Sequence, residues 1–140
     1  MSLVQRLTGL QWRQQGPAVL VGMGHGATHW VMGTFYLLLP FIAKALHLSY
    51  TEVGFLVSTV HISSFATNLF SGAVVDVTGR RVPILVASLT FGALALASFG
   101  IADGVLGLLP LVALIGCTNN MWHPAAISYI SRRFPQQRGY

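Results

Sequence analysis

The amino-acid sequence predicts an all-α polytopic membrane protein with four antiparallel transmembrane helices. Of its 140 residues, 54% are hydrophobic and only 8% are charged, whereas about a quarter of the residues in a soluble domain are charged. Four apolar segments approach or exceed the roughly 20 residues that a helix needs to cross the hydrocarbon core. No series of segments alternates polar and apolar residues, so a membrane β-barrel is not expected. Helices then satisfy the backbone groups in lipid.

Polar and helix-breaking residues bound these segments. The predicted spans are residues 18–42, 50–75, 82–102 and 105–130 within a transmembrane region 18–130. Pro17 precedes the first span, at a position where a missing N–H costs nothing. Ser49 and Glu52 have the Ser-x-x-Glu spacing of a capping box at the start of the second span. Asp103 and Gly104 form a polar turn before the fourth.

Basic residues fall on one side of these spans. Seven arginines lie in segment 1–17, in the second loop or in segment 131–140, namely Arg6, Arg13, Arg80, Arg81, Arg132, Arg133 and Arg138. Only Lys44 lies on the other side. Because cytoplasmic loops are rich in Lys and Arg, both terminal segments are expected in the cytoplasm, with the spans in the cell (inner) membrane. Topology therefore explains the net charge of +5, and no nucleic-acid partner is predicted, since that requires a basic patch on one surface.

Several polar side chains interrupt the apolar spans. They are His25, His29, His61, Asn68, Asn119, Asn120 and His123. Ionisable groups at membrane depth are costly, so these residues are candidates for lining a substrate or proton cavity. The alternative is that they only form hydrogen bonds between helices, each contributing about 0.5–2 kcal/mol. The third span has no such residue and is expected to face lipid.

Histidine is the titratable side chain inside the spans, because none of them contains an interior Asp or Glu. Imidazole changes its protonation near physiological pH, so we predict that His25, His29 or His123 exchanges protons during a transport cycle. Pro124 removes one amide from the fourth helix and predicts a kink beside His123. Five glycines suggest close helix packing, namely Gly22, Gly26, Gly33, Gly54 and Gly72.

The loop between the second and third spans carries a recognisable pattern. It reads Gly-x-x-x-Asp-x-x-Gly-Arg-Arg, formed by Gly72, Asp76, Gly79, Arg80 and Arg81. Glycines permit a sharp turn and close helix approach, arginines anchor at an anionic cytoplasmic face, and the carboxylate can pair with arginine or cap a helix. The pattern resembles the signature loop of the major facilitator superfamily.

Further segments resemble the fosmidomycin-resistance branch of that superfamily. They are Gly24-His25, Leu38-Leu39-Pro40, Leu48-Ser49-Tyr50, Val53-Gly54-Phe55-Leu56 and His123-Pro124-Ala125-Ala126. The chain departs from the family at Val77, where many members have Arg, and at His29, where this branch usually has Asp. It also has no Arg within residues 105–130, where the family often has one.

The resemblance implies a secondary transporter of twelve helices in two halves, with the substrate held between them. The chain is then expected to be the four-helix portion of an incomplete amino-terminal half, a fragment or truncated product ending near residue 140. The resemblance further implies export of small organic molecules or drugs by alternating access with proton antiport. Expected partners are the lipid bilayer, a small-molecule substrate, protons, and the missing helices or another copy.

No enzymatic activity, cofactor or metal is predicted, since the sequence has no nucleotide-binding motif, no Cys and His cluster in a loop, and no nucleophile with a base. Two alternatives to a facilitator remain open. One is a non-transporting remnant that binds a partner chain. The other is a dimeric four-helix transporter like the small multidrug-resistance proteins, which rely on a buried Glu that the first span lacks.

Overall fold

The computed structural model describes Gly9 and residues 11–137. Four long helices make up most of this part, namely α1 (Gly16–Ala45), α2 (Tyr50–Thr78), α3 (Arg81–Ala97) and α4 (Val105–Arg133). Short 3₁₀ segments lie at Trp12–Gln15, Ser98–Ile101 and Pro135–Gln137. The described residues contain no strand, and the all-α prediction is confirmed. Arg6 and Arg138, which contribute to the predicted orientation, lie outside the described residues.

All four helices are long and apolar enough to cross a membrane, with the third counted together with its 3₁₀ extension as Arg81–Ile101. The helices α1, α2 and α4 end at Ala45, Thr78 and Arg133, beyond the predicted ends at residues 42, 75 and 130. Helices of this length are about 44 Å long at about 1.5 Å per residue. That matches a bilayer of about 40–45 Å including its headgroups, so the polar helix ends extend past the hydrocarbon core.

Local sequence signals set both ends of α2. The Ser49 hydroxyl accepts a hydrogen bond from the Glu52 amide at 3.3 Å, and a Glu52 carboxylate oxygen accepts one from the Ser49 amide at 2.7 Å. The predicted capping box is therefore confirmed. At the other end, Gly79 has a φ of +62° and donates its amide to the Val75 carbonyl at 3.0 Å. This left-handed cap favours glycine and turns the chain sharply into α3.

The helix α4 is the centre of the bundle. It packs along α2 and α3 over most of its length, and α1 makes fewer contacts with α3 and α4. The apolar core lies in the half of the bundle nearest residues 46–49 and 98–104. It consists of Phe35, Leu39, Leu56, Val60, Ala95, Phe99, Leu108, Val112 and Ile115. The opposite half, near the connection between α2 and α3, contains most of the polar candidates on α1 and α4.

The helix α3 has two unlike faces. Small residues are buried on one face, including Ser88, Gly92 and Ala95, and Gly92 lies against Thr118 of α4. The other face exposes large apolar side chains, namely Val82, Val86, Phe91 and Leu94. Small buried residues let α3 approach α4 closely, which is typical of helix packing in membranes.

The glycines that permit close packing are not the predicted ones. A β-carbon at Gly22, Gly26, Gly33, Gly54 or Gly72 would meet no described heavy atom within 4 Å, so the prediction for these five was wrong. The first three follow one another at spacings of four and seven residues along one face of α1, and that face is exposed. The close approaches occur instead at Gly24, Gly92 and Gly116.

Candidate functional site

Three histidines from two helices meet on one side of the bundle. His25 and His29 lie on α1 and His123 lies on α4. Their ring centroids are 4.6 Å apart for His25 and His29, 5.4 Å for His25 and His123, and 6.4 Å for His29 and His123. We call these three residues the histidine cluster. His25 and His29 are exposed on the described bundle and His123 is half-buried.

Helix geometry and two hydrogen bonds position the imidazoles. His25 and His29 are four residues apart, which places them on the same face of α1. Their Nε2 atoms are 3.0 Å apart, so one ring donates a hydrogen bond to the other. Nδ1 of His123 lies 2.8 Å from the carbonyl oxygen of Asn119. A carbonyl only accepts, so this Nδ1 carries the hydrogen and Nε2 of the neutral ring keeps a free lone pair.

The buried side chain of Trp122 packs against the histidine cluster. It is 3% exposed, and its ring stacks on His25 with a centroid distance of 5.7 Å and an interplanar angle of 8°. A β-carbon at Gly24 would lie 3.0 Å from the Trp122 ring, so glycine allows the indole to reach α1. Trp122 is not among the site residues predicted from the sequence. Its position next to His123 is the only local signal, and the contact itself depends on how α1 and α4 are paired.

The cluster lies at one level across the bundle. The amino end of α1 and the carboxyl end of α4 are on the same side, because three antiparallel connections separate them. At about 1.5 Å per residue, His25 lies about 14 Å from Gly16 and His123 about 15 Å from Arg133. Both histidines are therefore well inside helices that are long enough to span a membrane.

A second polar contact joins α1 to α2. The Tyr36 hydroxyl and Nε2 of His61 are 2.8 Å apart. Tyr36 lies three helical turns after His25 and so shares its face of α1. Both Tyr36 and His61 are exposed on the described bundle. The polar face of α1 therefore extends about 16 Å along the helix axis, from His25 to Tyr36, and touches α4 at one end and α2 at the other.

The asparagines do not join the histidine cluster. Asn68 is exposed two turns after His61 on α2, and Asn120 is half-buried on α4. The side-chain oxygen of Asn119 is buried and has no hydrogen-bond partner among the described residues. Asn119 lines a cavity of about 10 Å³ together with Thr28 and Ser88, a space of about one water molecule. This asparagine therefore lines a small space between α1, α3 and α4.

Arg81 links the signature loop to α4. Its Nε donates to the Ser128 hydroxyl at 2.7 Å, and one terminal nitrogen donates to the Gly79 carbonyl at 3.1 Å. The other terminal nitrogen is buried with no partner in the described part of the chain. Asp76 and Arg80 are exposed. Gly79 thus adopts the left-handed conformation of the turn, and Arg81 connects the turn to the carboxyl-terminal part of α4 through Ser128.

The prolines do not interrupt α4. It remains α-helical through both Pro110 and Pro124. Pro124 cannot donate to the carbonyl of Asn120. The neighbouring carbonyl of Asn119 accepts a hydrogen bond from the imidazole of His123. The kink predicted beside His123 stays a prediction.

Comparison with known proteins decides the family. The sequence profile of the Major Facilitator Superfamily matches residues 21–140, which include most of α1 and all of α2, α3 and α4. The chain belongs to this superfamily. A search of curated proteins and a search of solved structures found no match. Members of the superfamily are transporters rather than enzymes, so this facilitator chain is a multi-pass membrane protein of the secondary transporter class. The resemblance of the signature loop is confirmed at this level, and the finer resemblance to the fosmidomycin-resistance branch stays a prediction.

Proposed function

We propose that this facilitator chain acts in the export of small organic molecules by alternating access, in the manner of the fosmidomycin-resistance branch that it resembles. The observation that carries the proposal is the exposed polar face of α1. It presents His25, His29 and Tyr36 on a helix that is otherwise apolar. Ionisable groups at membrane depth generally face a water-filled cavity or a binding site.

The position of this face fits a transport pathway. In secondary transporters, substrate sites lie near the bilayer midplane between the two halves. The polar face of α1 lies within the span and contacts both α2 and α4. By contrast, the exposed face of α3 consists of large apolar residues suited to lipid. We assign the α1 face, with Asn68 and Asn120, to the cavity side of the bundle.

The side chains on this face favour a neutral or anionic substrate. Imidazole, phenol and amide groups donate hydrogen bonds without supplying negative charge. The chain has three acidic residues, and all of them lie at helix ends or in a loop, namely Glu52, Asp76 and Asp103. A quaternary ammonium drug would therefore find no carboxylate in the spans. A phosphonate or carboxylate would find several donors.

We propose His61 as the residue that couples transport to protons. Its hydrogen bond to Tyr36 joins α1 to α2. A tyrosine hydroxyl can donate to a neutral imidazole or accept from a protonated one. His61 can therefore gain or lose a proton without losing its partner, while the charge facing the cavity changes.

A vesicle assay tests this function. Inside-out membrane vesicles that contain the chain together with the helices that complete the transporter, and that hold an acidic interior, are expected to accumulate fosmidomycin. Protons that leave the acidic interior then drive the drug inward by antiport. His61→Gln should abolish the stimulation by the pH gradient and preserve exchange of labelled for unlabelled fosmidomycin. Uptake no greater than in vesicles without the chain would contradict the transport proposal.

The matched control is His47→Gln. His47 is exposed in the connection between α1 and α2 and lies outside both helices. This variant should keep the full dependence on the pH gradient. If His61→Gln also keeps it, His61 does not couple protons, and the transport proposal stands without that part.

We also propose that both terminal segments face the cytoplasm and that the protein resides in the cell membrane. The distribution of arginines supports this orientation. With Cys117 replaced by serine, a cysteine introduced by His47→Cys should react with an impermeant maleimide in intact cells. One introduced by Thr78→Cys should react only after permeabilisation. His47 is exposed in the connection that precedes α2, and Thr78 is exposed at the far end of α2. The reverse labelling pattern would therefore overturn the orientation.

A further inference from the structure

We infer that the histidine cluster binds a first-row divalent transition-metal cation, the class that includes Zn²⁺. Each of His25, His29 and His123 offers one ring nitrogen, and these three nitrogens lie within 4.8 Å of one another. The inference concerns binding alone and does not depend on transport. It assigns to these three residues a role other than the proton exchange predicted from the sequence.

The spacing of the imidazoles fits a metal centre. Two histidines four residues apart on one helix face are the arrangement by which helices supply paired zinc ligands. Nitrogens at about 2.0–2.1 Å from a tetrahedral Zn²⁺ are about 3.3 Å from each other. The Nε2 atoms of His25 and His29 are 3.0 Å apart. This pair must open by a few tenths of an ångström, and the widest spacing in the cluster must close by up to about 1.5 Å from 4.8 Å. Side-chain rotations of two exposed imidazoles and one half-buried imidazole supply these changes.

Cation binding also requires a change of tautomer. In the hydrogen-bonded pair, one Nε2 carries the hydrogen that the other accepts. When that hydrogen moves through solvent to Nδ1 of the same ring, both Nε2 lone pairs become available. His123 already has this form, because its Nδ1 donates to the Asn119 carbonyl. Metal-binding histidines commonly donate their second N–H to a backbone carbonyl in this way.

The surroundings restrain the ligands before a cation arrives. The buried Trp122 stacks on His25 and meets the edge of His123. Gly24 gives the indole the space to do so. The Thr28 hydroxyl donates to the His25 carbonyl at 2.8 Å. Two of the three ligands therefore contact one rigid side chain, which reduces the reorganisation that binding requires.

The donor set selects the class of cation. Three neutral imidazoles suit Zn²⁺, Cu²⁺, Ni²⁺ or Co²⁺, whereas Ca²⁺ and Mg²⁺ require oxygen ligands. Each acidic residue of the chain lies outside the cluster. With three protein ligands, a tetrahedral ion keeps a fourth position for water or another ligand. Because the ligands come from α1 and α4, a bound cation joins α1, which packs least extensively in the bundle, to the central helix.

The test uses the full chain, purified without a histidine tag in detergent. Competition with a chromophoric chelator should show one Zn²⁺ per chain. His29→Gln and His123→Gln should each weaken Zn²⁺ binding by at least about tenfold. Even the loss of a residue that only hydrogen-bonds to a metal ligand weakens metal affinity by about 10–100-fold. His61→Gln and Cys117→Ser should bind Zn²⁺ as the unsubstituted chain does. Equal binding by all four variants would overturn the site.

A second measurement does not depend on the folding of any variant. Co²⁺ added to the unsubstituted chain should produce the intense visible bands of four-coordinate cobalt with nitrogen ligands, and Zn²⁺ should remove them. A spectrum identical to that of Co²⁺ in buffer would overturn the proposal. Neither result bears on fosmidomycin uptake, so failure of the metal site and failure of the transport function are distinguishable.

Discussion

Trp122→Ala is expected to destabilise the bundle by an amount near the lower end of the about 3–5 kcal/mol seen for large aromatic residues replaced by alanine in cores. The indole is 3% exposed, packs against Gly24 and stacks on the His25 ring. Lipid is itself apolar, so the transfer term that operates in water is small and the lost packing dominates. The measurement is the free energy of unfolding in detergent, followed by circular dichroism during denaturant titration.

Trp30→Ala is the matched control for this prediction. Trp30 lies on α1 and is 76% exposed on the described bundle. Its removal deletes the same atoms without opening a cavity between α1 and α4. We expect a change of less than about 0.5 kcal/mol, as for substitutions away from packed features. Equal destabilisation by the two variants would show that Trp122 does not hold α1 against α4.

Gly116→Ala is expected to destabilise the bundle by about 1–3 kcal/mol, the usual range for overpacking. A β-carbon there would collide with the Ser63 hydroxyl and with the backbone carbonyl of Val60 on α2. The serine can rotate away, but the carbonyl belongs to the helix and cannot. The helices α2 and α4 must then separate, which also weakens the hydrogen bond from the Ser64 hydroxyl to the Gly116 carbonyl at 3.2 Å.

Gly54→Ala separates this steric effect from helix propensity. Gly54 lies on α2, and a methyl group added there would meet no described heavy atom within 4 Å. Alanine is favoured over glycine in a helix by up to about 1 kcal/mol, so this variant should be neutral or stabilised. The measurement is the temperature of unfolding of the Gly116→Ala and Gly54→Ala variants in detergent. A loss of stability at Gly54 as large as that at Gly116 would contradict the assignment of the close contact.

The architecture could be predicted because the bilayer fixes the length and composition of each element. Long apolar segments and a strong cap at Ser49 and Glu52 define α2 without reference to any other helix. The same holds for the paired histidines on α1, since a spacing of four residues is a property of one helix. These features are local, and local rules were enough to identify them.

Contacts between helices could not be predicted in the same way. Which glycine permits close packing depends on how each helix is rotated about its axis, so the prediction for Gly22 was wrong while the approach at Gly116 was missed. The stacking of Trp122 on His25 requires the relative height of α1 and α4. The bond between Tyr36 and His61 requires the relative height of α1 and α2. Sequence periodicity contains neither quantity.

The one-sided apolar core makes the bundle unevenly stiff. Phe35 and Leu39 anchor α1 at the core end through interlocked hydrophobic side chains. At the other end α1 meets α4 mainly through aromatic rings and a small glycine contact. A tilt of α1 therefore pivots near Phe35 and is largest at Gly16. Movement of α1 about Phe35 and Leu39 would therefore displace the end that carries His25 and His29 more than the end packed in the apolar core.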